Sequence, residues 1–303
     1  MKTRILDASR RSFLVSSVSF ATIFQLQRAA RASGLVPEAN VCKLSAEQEE
    51  GPFYVADELF RSDIAERKPG LPLSLRILVL DARTCRPLAN AAVDLWHCDA
   101  LGIYSGFTNE NPMRPGGFGG PGDPPPGGPP PHQTGDPPGP PEDMGPPHQN
   151  RPTDKRTFLR GVQLTSADGF VRFTTVFPGF YMGRTNHIHF KVRAGGQAHT
   201  RSYEAGHISH TGQIFFPEAV TIELMQHEPY RLHTIHRTTQ EEDQVFADQH
   251  GELSLARLQP LRPGTFAAGM QADLAASVDP AATPPSARRR EGPGRPPFPT
   301  NQD

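Results

Sequence analysis

"LSLRILVLDARTCRPLANAAVDLWHC", from Leu73 to Cys98, decides the fold class. Leu73–Leu80 alternates loosely and is rich in Leu, Ile and Val. Ala92–Cys98 alternates apolar and polar residues through Val93, Asp94, Leu95 and Trp96. Between them, "DARTCRPLAN" supplies the breakers Asp81, Pro87 and Asn90. Two such runs around a turn read as a hairpin or meander of β-strands. Further along, "FLRGVQLTSADGFVRFTTVFPGFY" (Phe158–Tyr181) repeats the pattern, with Ala167-Asp168-Gly169 as the turn. "NHIHFKV" and "HTGQIFFPEAVTIEL" continue it, and residues 227–248 read as loops with a short helix. Outside the N-terminus no segment carries a long helical period. The expectation is an all-β sandwich of mostly antiparallel strands with long loops.

The ends and one insertion differ in composition. The chain has 303 residues with 33 prolines and 28 glycines, unevenly spread. "SRRSFLVSSVSFATIFQLQRAARASG" places paired arginines, Arg10 and Arg11, before a short apolar run and the small-x-small site Ala30-Arg31-Ala32. Residues 1–32 therefore read as an export signal resembling the twin-arginine type, with the twin-arginine translocase as partner and a periplasmic or extracellular destination. Residues 111–152 are Pro/Gly-rich and cannot bury a core, so a disordered insertion is expected. Residues 264–303, rich in Pro, Ala and Arg, read as a disordered tail. Residues 33–263 form the single domain. A net charge of −1 gives no electrostatic footprint for nucleic acid. The three cysteines, Cys42, Cys85 and Cys98, match no zinc spacing. In an oxidising compartment a Cys42–Cys85 disulfide is the favoured pairing, with Cys98 a buried thiol and full reduction the alternative.

The chemistry concentrates in "FYMGRTNHIHFKV" (Phe180–Val192). On a strand, residues i and i+2 share a face, roughly 6–7 Å apart. His187 and His189 thus face one side and Ile188 the other, and two imidazoles on one face can converge on a metal. Tyr181, after the turn "FPG", can fold back toward them, and Tyr104 ends "DLWHCDALGIYSG". Phenolates are hard oxygen donors suited to a hard trivalent cation such as Fe(III), and such a cation supports deprotonation against the ordinary phenol pKa of about 10. Each of these residues also has a plain reading, as a polar strand histidine or a half-buried tyrosine.

"EGPFYV" (Glu50–Val55), "DLWHCDALGIYSGF" (Asp94–Phe107), Phe158–Tyr181, "RTNHIHFKV" (Arg184–Val192) and "TGQIFFPE" (Thr211–Glu218) resemble the intradiol ring-cleavage dioxygenases, in the order that family uses. The resemblance covers roughly residues 42–225 and is nearest to the exported branch. It implies that Tyr104, Tyr181, His187 and His189 ligate a non-haem Fe(III), that Arg184 stabilises charge developing on the substrate, and that Gln213 lies at the oxygen-reaction site. It implies a catechol-type substrate cleaved with O2 to a cis,cis-muconate-type diacid, with Tyr181 taking a substrate proton. Tyr54 either lines the substrate pocket or packs. The sequence departs from the cytoplasmic enzymes in three places: the Pro/Gly insertion after Tyr104, a short Tyr181–His187 gap and a long His189–Gln213 gap. These put substrate identity in doubt. A homo-oligomer is compatible with the sequence.

Two other readings stay open. A different exported β-sandwich metalloprotein would use His187, His189 and an acid such as Glu204 on Fe(II), Mn or Cu. A transthyretin-like binding module would need no ligand tyrosines. Trp96 reads as core, and His97, His199, His207 and His210 read as loop or surface histidines.

Overall fold

The computed structural model describes residues 43–56, 59–109, 152–199, 203–204 and 206–284. The expected export signal, Cys42, residues 111–151 of the expected insertion and residues 285–303 lie outside them. The described strands are β1 (Pro72–Asp81), β2 (Ala92–Trp96), β3 (Arg160–Leu164), β4 (Phe170–Val176), β5 (His187–Ala194), β6 (Gln197–Ala198), β7 (Tyr203–Glu204), β8 (His207–Phe215), β9 (Arg257–Arg262) and β10 (Thr265–Val278). Two short helices, α1 (Glu218–Leu224) and α2 (Gln244–Asp248), lie between β8 and β9. One sheet runs β4-β1-β10-β9 and the other β3-β2-β5-β8, with β6-β7 a separate ribbon. Neighbours are antiparallel except β1 and β10, which run parallel. The chain is the all-β sandwich that its alternation predicts.

Period-two patterning builds the core. Leu73, Leu75, Ile77 and Val79 point inward from β1, and Val93 and Leu95 from β2. Ile188, Phe190 and Val192 do so from β5, facing Met270, Ala272, Leu274 and Ala276 of β10. The alternate residues of β5 (His187, His189, Lys191 and Arg193) occupy its opposite face and are also buried. That face carries the candidate site.

Three expectations are corrected. β1 and β2 do not form a hairpin: β1 pairs with β4 and β10, whereas β2 pairs with β3 and β5. The intervening turn crosses between layers, pinned by Leu88 N–H to Val79 O (2.9 Å) and Asn90 N–H to Thr165 O (3.0 Å). The Ala167-Asp168-Gly169 turn likewise links β3 in one sheet to β4 in the other. A turn signal between two half-buried strands is the same whether they pair or face each other across a core. The expected tail from residue 264 is also wrong as far as residue 278, because β10 inserts between β1 and β9 and buries Met270, Ala272 and Val278. His97 and His210 are not at the surface either. The ring nitrogens of His97 bond Cys98 O and Thr175 Oγ1, both at 2.8 Å, and the latter ties β4 to the segment after β2. Burial pushes the His97 pKa down to about 4. His210 is buried against the Glu47 carboxylate. Cys85 is disulfide-bonded, its expected partner Cys42 lying outside the described residues, and Cys98 is free and buried.

Ala272 tests the corrected boundary. It is fully buried and pairs with Leu75 on one side and Leu258 on the other. Ala272→Asp places an unpaired carboxylate in the core and is expected to cost about 3–5 kcal/mol in urea unfolding. An unstructured tail would show no change.

Candidate metal centre

Four side chains close a ring. Centroid separations are 5.8 Å for Tyr104–Tyr181, 5.6 Å for Tyr181–His187, 4.7 Å for His187–His189 and 6.4 Å for His189–Tyr104. The two imidazole Nε2 atoms lie 3.1 Å apart. Nδ1–H of His187 donates to Thr185 O at 2.6 Å, which leaves a lone pair on its Nε2. A backbone carbonyl that fixes the tautomer in this way is a usual companion of a metal-binding histidine. Nitrogens this close can both reach one metal at about 2 Å. The Tyr104 hydroxyl is buried without a well-formed hydrogen bond. Left neutral, it has only the Tyr181 hydroxyl as a polar neighbour and is poorly satisfied; as a phenolate beside a cation it is satisfied.

The electrostatics set what a cation would have to offset at the phenols and leave the imidazoles ready to ligate. Burial pushes both phenol pKa values up, and the Tyr181 phenol adds to the rise at Tyr104. Burial holds His187 and His189 well below the ordinary imidazole range, and the nearby Arg184 charge lowers them further. The imidazoles are therefore neutral, the state in which they ligate. Among the described residues, no group of three or more His, Cys, Asp or Glu is placed to hold a metal ion. The donors brought together here are two imidazoles and two phenols, a set that fits a hard, oxygen-preferring cation with Fe(III) in the range.

The chain delivers these donors by register and by a strap. In the sheet, His189 stands between Trp96 on β2 and Gln213 on β8. The Trp96 indole stacks on its ring at 5.0 Å and 7°. Residues 47–54 then cross the same face from β8 to β2. Gln48 N–H bonds Thr211 O at 2.9 Å, and Gln48 Oε1 accepts from Gln213 N–H at 2.6 Å. Glu50 pairs with Lys191. Arg160 donates to Phe53 O and Ser105 O, each at 2.7 Å, tying the strap to the Tyr104 segment. Phe53 stacks on Tyr104 (4.4 Å, 21°) and meets Tyr181 edge-on (5.9 Å, 87°), walling the phenols from water. Gly102 (φ +80°) lets its turn approach Tyr181: a Cβ there would lie 2.4 Å from Phe180 O.

Arg184 and Gln213 also join the site. Arg184 Nη2 donates to Gln213 Oε1, Nε lies 3.1 Å from both carboxylate oxygens of Asp243, and Nη1 lies 3.7 Å from Glu49. Burial works against this cation, but Tyr181, Asp243 and Glu49 outweigh it and hold its pKa above the ordinary value. Tyr54 is set apart. Its hydroxyl donates to Asp94 at 2.7 Å and accepts from Arg193, so it packs on Trp96 with its polar end already engaged. Glu204 is exposed on the β6-β7 ribbon beside His199 and is not brought to the histidines. Asp243, the strap and the Trp96 stack escape the sequence reading. Asp243 leaves one readable signal there, an Asp directly before a short helical run, and the strap's second half reads as the motif "EGPFYV" but not as a cover over His189.

No protein-family model matches the sequence, and no curated protein does. Solved structures do. The intradiol ring-cleavage dioxygenase of Tetranychus urticae matches with a TM-score of 0.62 and 29% identity, covering 80% of this chain and 98% of that one. A second dioxygenase structure gives the same scores with 97% of its chain covered. The dioxygenase domain of a carbohydrate-binding fusion protein from Streptomyces sp. SirexAA-E matches at a TM-score of 0.43 and 22% identity, covering 78% of this chain and 99% of that one. The chain is similar to intradiol ring-cleavage dioxygenases. The likeness is to enzymes, of the oxidoreductase class.

Gly51 provides a test of the strap over His189. It has φ +71°, and a Cβ there would lie 3.2 Å from His189 Cε1. Gly183 has φ +80° and nothing within 4 Å. Gly183→Ala is expected to cost about 1–2 kcal/mol, the backbone strain alone. Gly51→Ala is expected to cost measurably more in the same urea titration, the excess reporting pressure on the His189 ring. Equal costs would mean that the strap does not press on His189.

Proposed function

We propose that the chain is a non-haem Fe(III) intradiol dioxygenase that cleaves a catechol-type diol with O2 to a cis,cis-muconate-type diacid. The observation that carries the reading is the closed ring of Tyr104, Tyr181, His187 and His189 with its 3.1 Å pair of nitrogens. The 29% identical dioxygenase structure supports it at the level of the whole fold. Tyr104 Oη, Tyr181 Oη, His187 Nε2 and His189 Nε2 are the donor atoms. Bound Fe(III) would supply a Lewis acid that templates the diol and primes its ring for O2.

The chain's own residues do the rest. A deprotonated Tyr181 Oη is a base for a substrate hydroxyl proton. The Arg184 guanidinium, already charged and desolvated, stabilises negative charge as it grows on the ring, and needs no reorganisation to do so. Gln213 Oε1 orients that guanidinium from the β8 side, and its Nε2 donates to Glu49 O at 2.9 Å, locking the strap to the same strand. Phe53 and Trp96 keep bulk water from the donors. Export is part of the proposal. It rests on the Arg10-Arg11 signal pattern, and a disulfide-bonded Cys85 suits an oxidising compartment.

Colour and product test the reading together. Iron-loaded protein is expected to be red-brown from tyrosinate charge transfer, and Tyr181→Phe to lose or shift the band. Anaerobic titration with catechol, protocatechuate and hydroxyquinol is expected to move the band for the true substrate class, and admission of O2 to give the intradiol product. A colourless protein with one iron per chain, or an unchanged band in Tyr181→Phe, would sink the assignment.

A further inference from the structure

Asp243 belongs to no strand of the site, and its side chain is fully buried. Its carboxylate accepts from two directions. On one side, Val245 and Phe246 N–H donate at 2.9 and 3.2 Å; these are open donors of the first turn of α2, so Asp243 caps that helix. On the other, Thr185 N–H donates to Oδ2 at 2.9 Å, and Arg184 Nε lies 3.1 Å from both oxygens. The acceptor cannot turn without releasing the helix cap, so the arginine is held by a fixed point. A guanidinium is planar, and with Nε on Asp243 and Nη2 on Gln213 its plane has one orientation.

From this geometry we infer that Asp243 is the positioning residue that presents Arg184 to the substrate, by gripping Nε and so fixing the guanidinium plane before substrate arrives. The inference rests on the proposed ring cleavage, in which Arg184 faces the developing charge. Asp243 makes no hydrogen bond to the donor ring: its bonds go to Arg184, Thr185 and α2, and its charge is a minor influence on the Tyr181 phenol, behind burial and Arg184. Misplacement of such a charge by about 1 Å costs on the order of 100-fold.

The test is a double-mutant cycle on the iron-loaded protein with Asp243→Asn, Arg184→Lys and the pair. Asp243→Asn is expected to lower kcat about 10- to 100-fold with KM changed less than about threefold. Iron per chain and the visible band should stay unchanged. In the Arg184→Lys background, which has no fork to hold, the same substitution should add less than about threefold. Asn also caps a helix, so α2 is expected to keep its cap, and any stability change is read separately by urea unfolding in both backgrounds. A second readout is free of turnover: in protein loaded with diamagnetic Ga(III), the Arg184 Nε–H proton, assigned by its absence in Arg184→Lys, is expected to exchange slowly with solvent and to lose that protection in Asp243→Asn. Independent, multiplicative kinetic effects, iron loss in proportion to activity loss, or an Nε–H still protected in Asp243→Asn would each overturn the inference. If the unsubstituted iron-loaded protein cleaves no catechol, the function reading has failed; a persisting protected Nε–H sinks the Asp243 inference alone.

Discussion

The two-residue period of β5 is the constraint on which the rest depends. Ile188, Phe190 and Val192 fill the space between the sheets, which fixes the strand's rotation. His187, His189, Lys191 and Arg193 are then forced onto the opposite face, in a row. A slip of one residue would drive all four into the apolar core and is excluded by the cost of burying them there. Core packing thus sets the shared face on which the two imidazoles approach to 3.1 Å. The candidate site inherits its precision from hydrophobic burial on the far side of the same strand.

That polar face is itself buried, and this dictates what covers it. An unpaired charge in such a place costs several kcal/mol, so each needs a partner. Lys191, whose pKa burial pushes down, is met by Glu50 and by the Tyr54 ring 3.3 Å beneath its Nζ. Arg193 is met by Tyr54 and by Asp94, 3.6 Å away. Asp94, pushed up by burial, is held down in part by the Tyr54 hydroxyl and Arg193. Residues 47–54 supply several of these partners, and the position that faces His189 is a glycine at φ +71°, where a Cβ would lie a tight 3.2 Å from the ring. The strap satisfies charges at one end of the row and walls the phenols at the other, so stability and site geometry share the same eight residues.

How much of this the sequence discloses follows from the range of each interaction. The alternation of β1, β2 and β5 is local, and the sandwich and the shared face of His187 and His189 could be read from it. The companion motifs around Tyr104, Tyr181, Arg184 and Gln213 are also local, and all four residues do converge. Which strands pair is not local. The turns at 82–91 and 167–169 look like hairpins yet join opposite sheets. β10 was hidden by composition: "TFAAGMQADLAASV" is alanine-rich with weak strand propensity, next to a Pro-rich end, and only its place between β1 and β9 makes it a strand. His97 and His210 read as loop or surface residues because their partners, Thr175 and Glu47, are distant in sequence; His97 is a loop residue but buried, and His210 lies buried in β8.

The balance of charge around the donors separates the readings that sequence left open. A site built on His187, His189 and Glu204 fails because Glu204 stands exposed on another ribbon. A binding module with no cation would have to leave two phenols buried together, one without a good partner, with a buried arginine beside them. Without a cation the buried phenols cost stability, whereas the arginine is already paired with Asp243. Taken with a trivalent cation they compensate one another: two phenolates leave a single positive charge at the centre, and the Arg184 charge is matched by Asp243 instead of adding to it. What the arginine keeps is direction. Under the proposed ring cleavage, with its net field offset by a buried carboxylate behind it, its Nη edge would act as an oriented dipole whose effect is largest on charge that develops close by on the substrate.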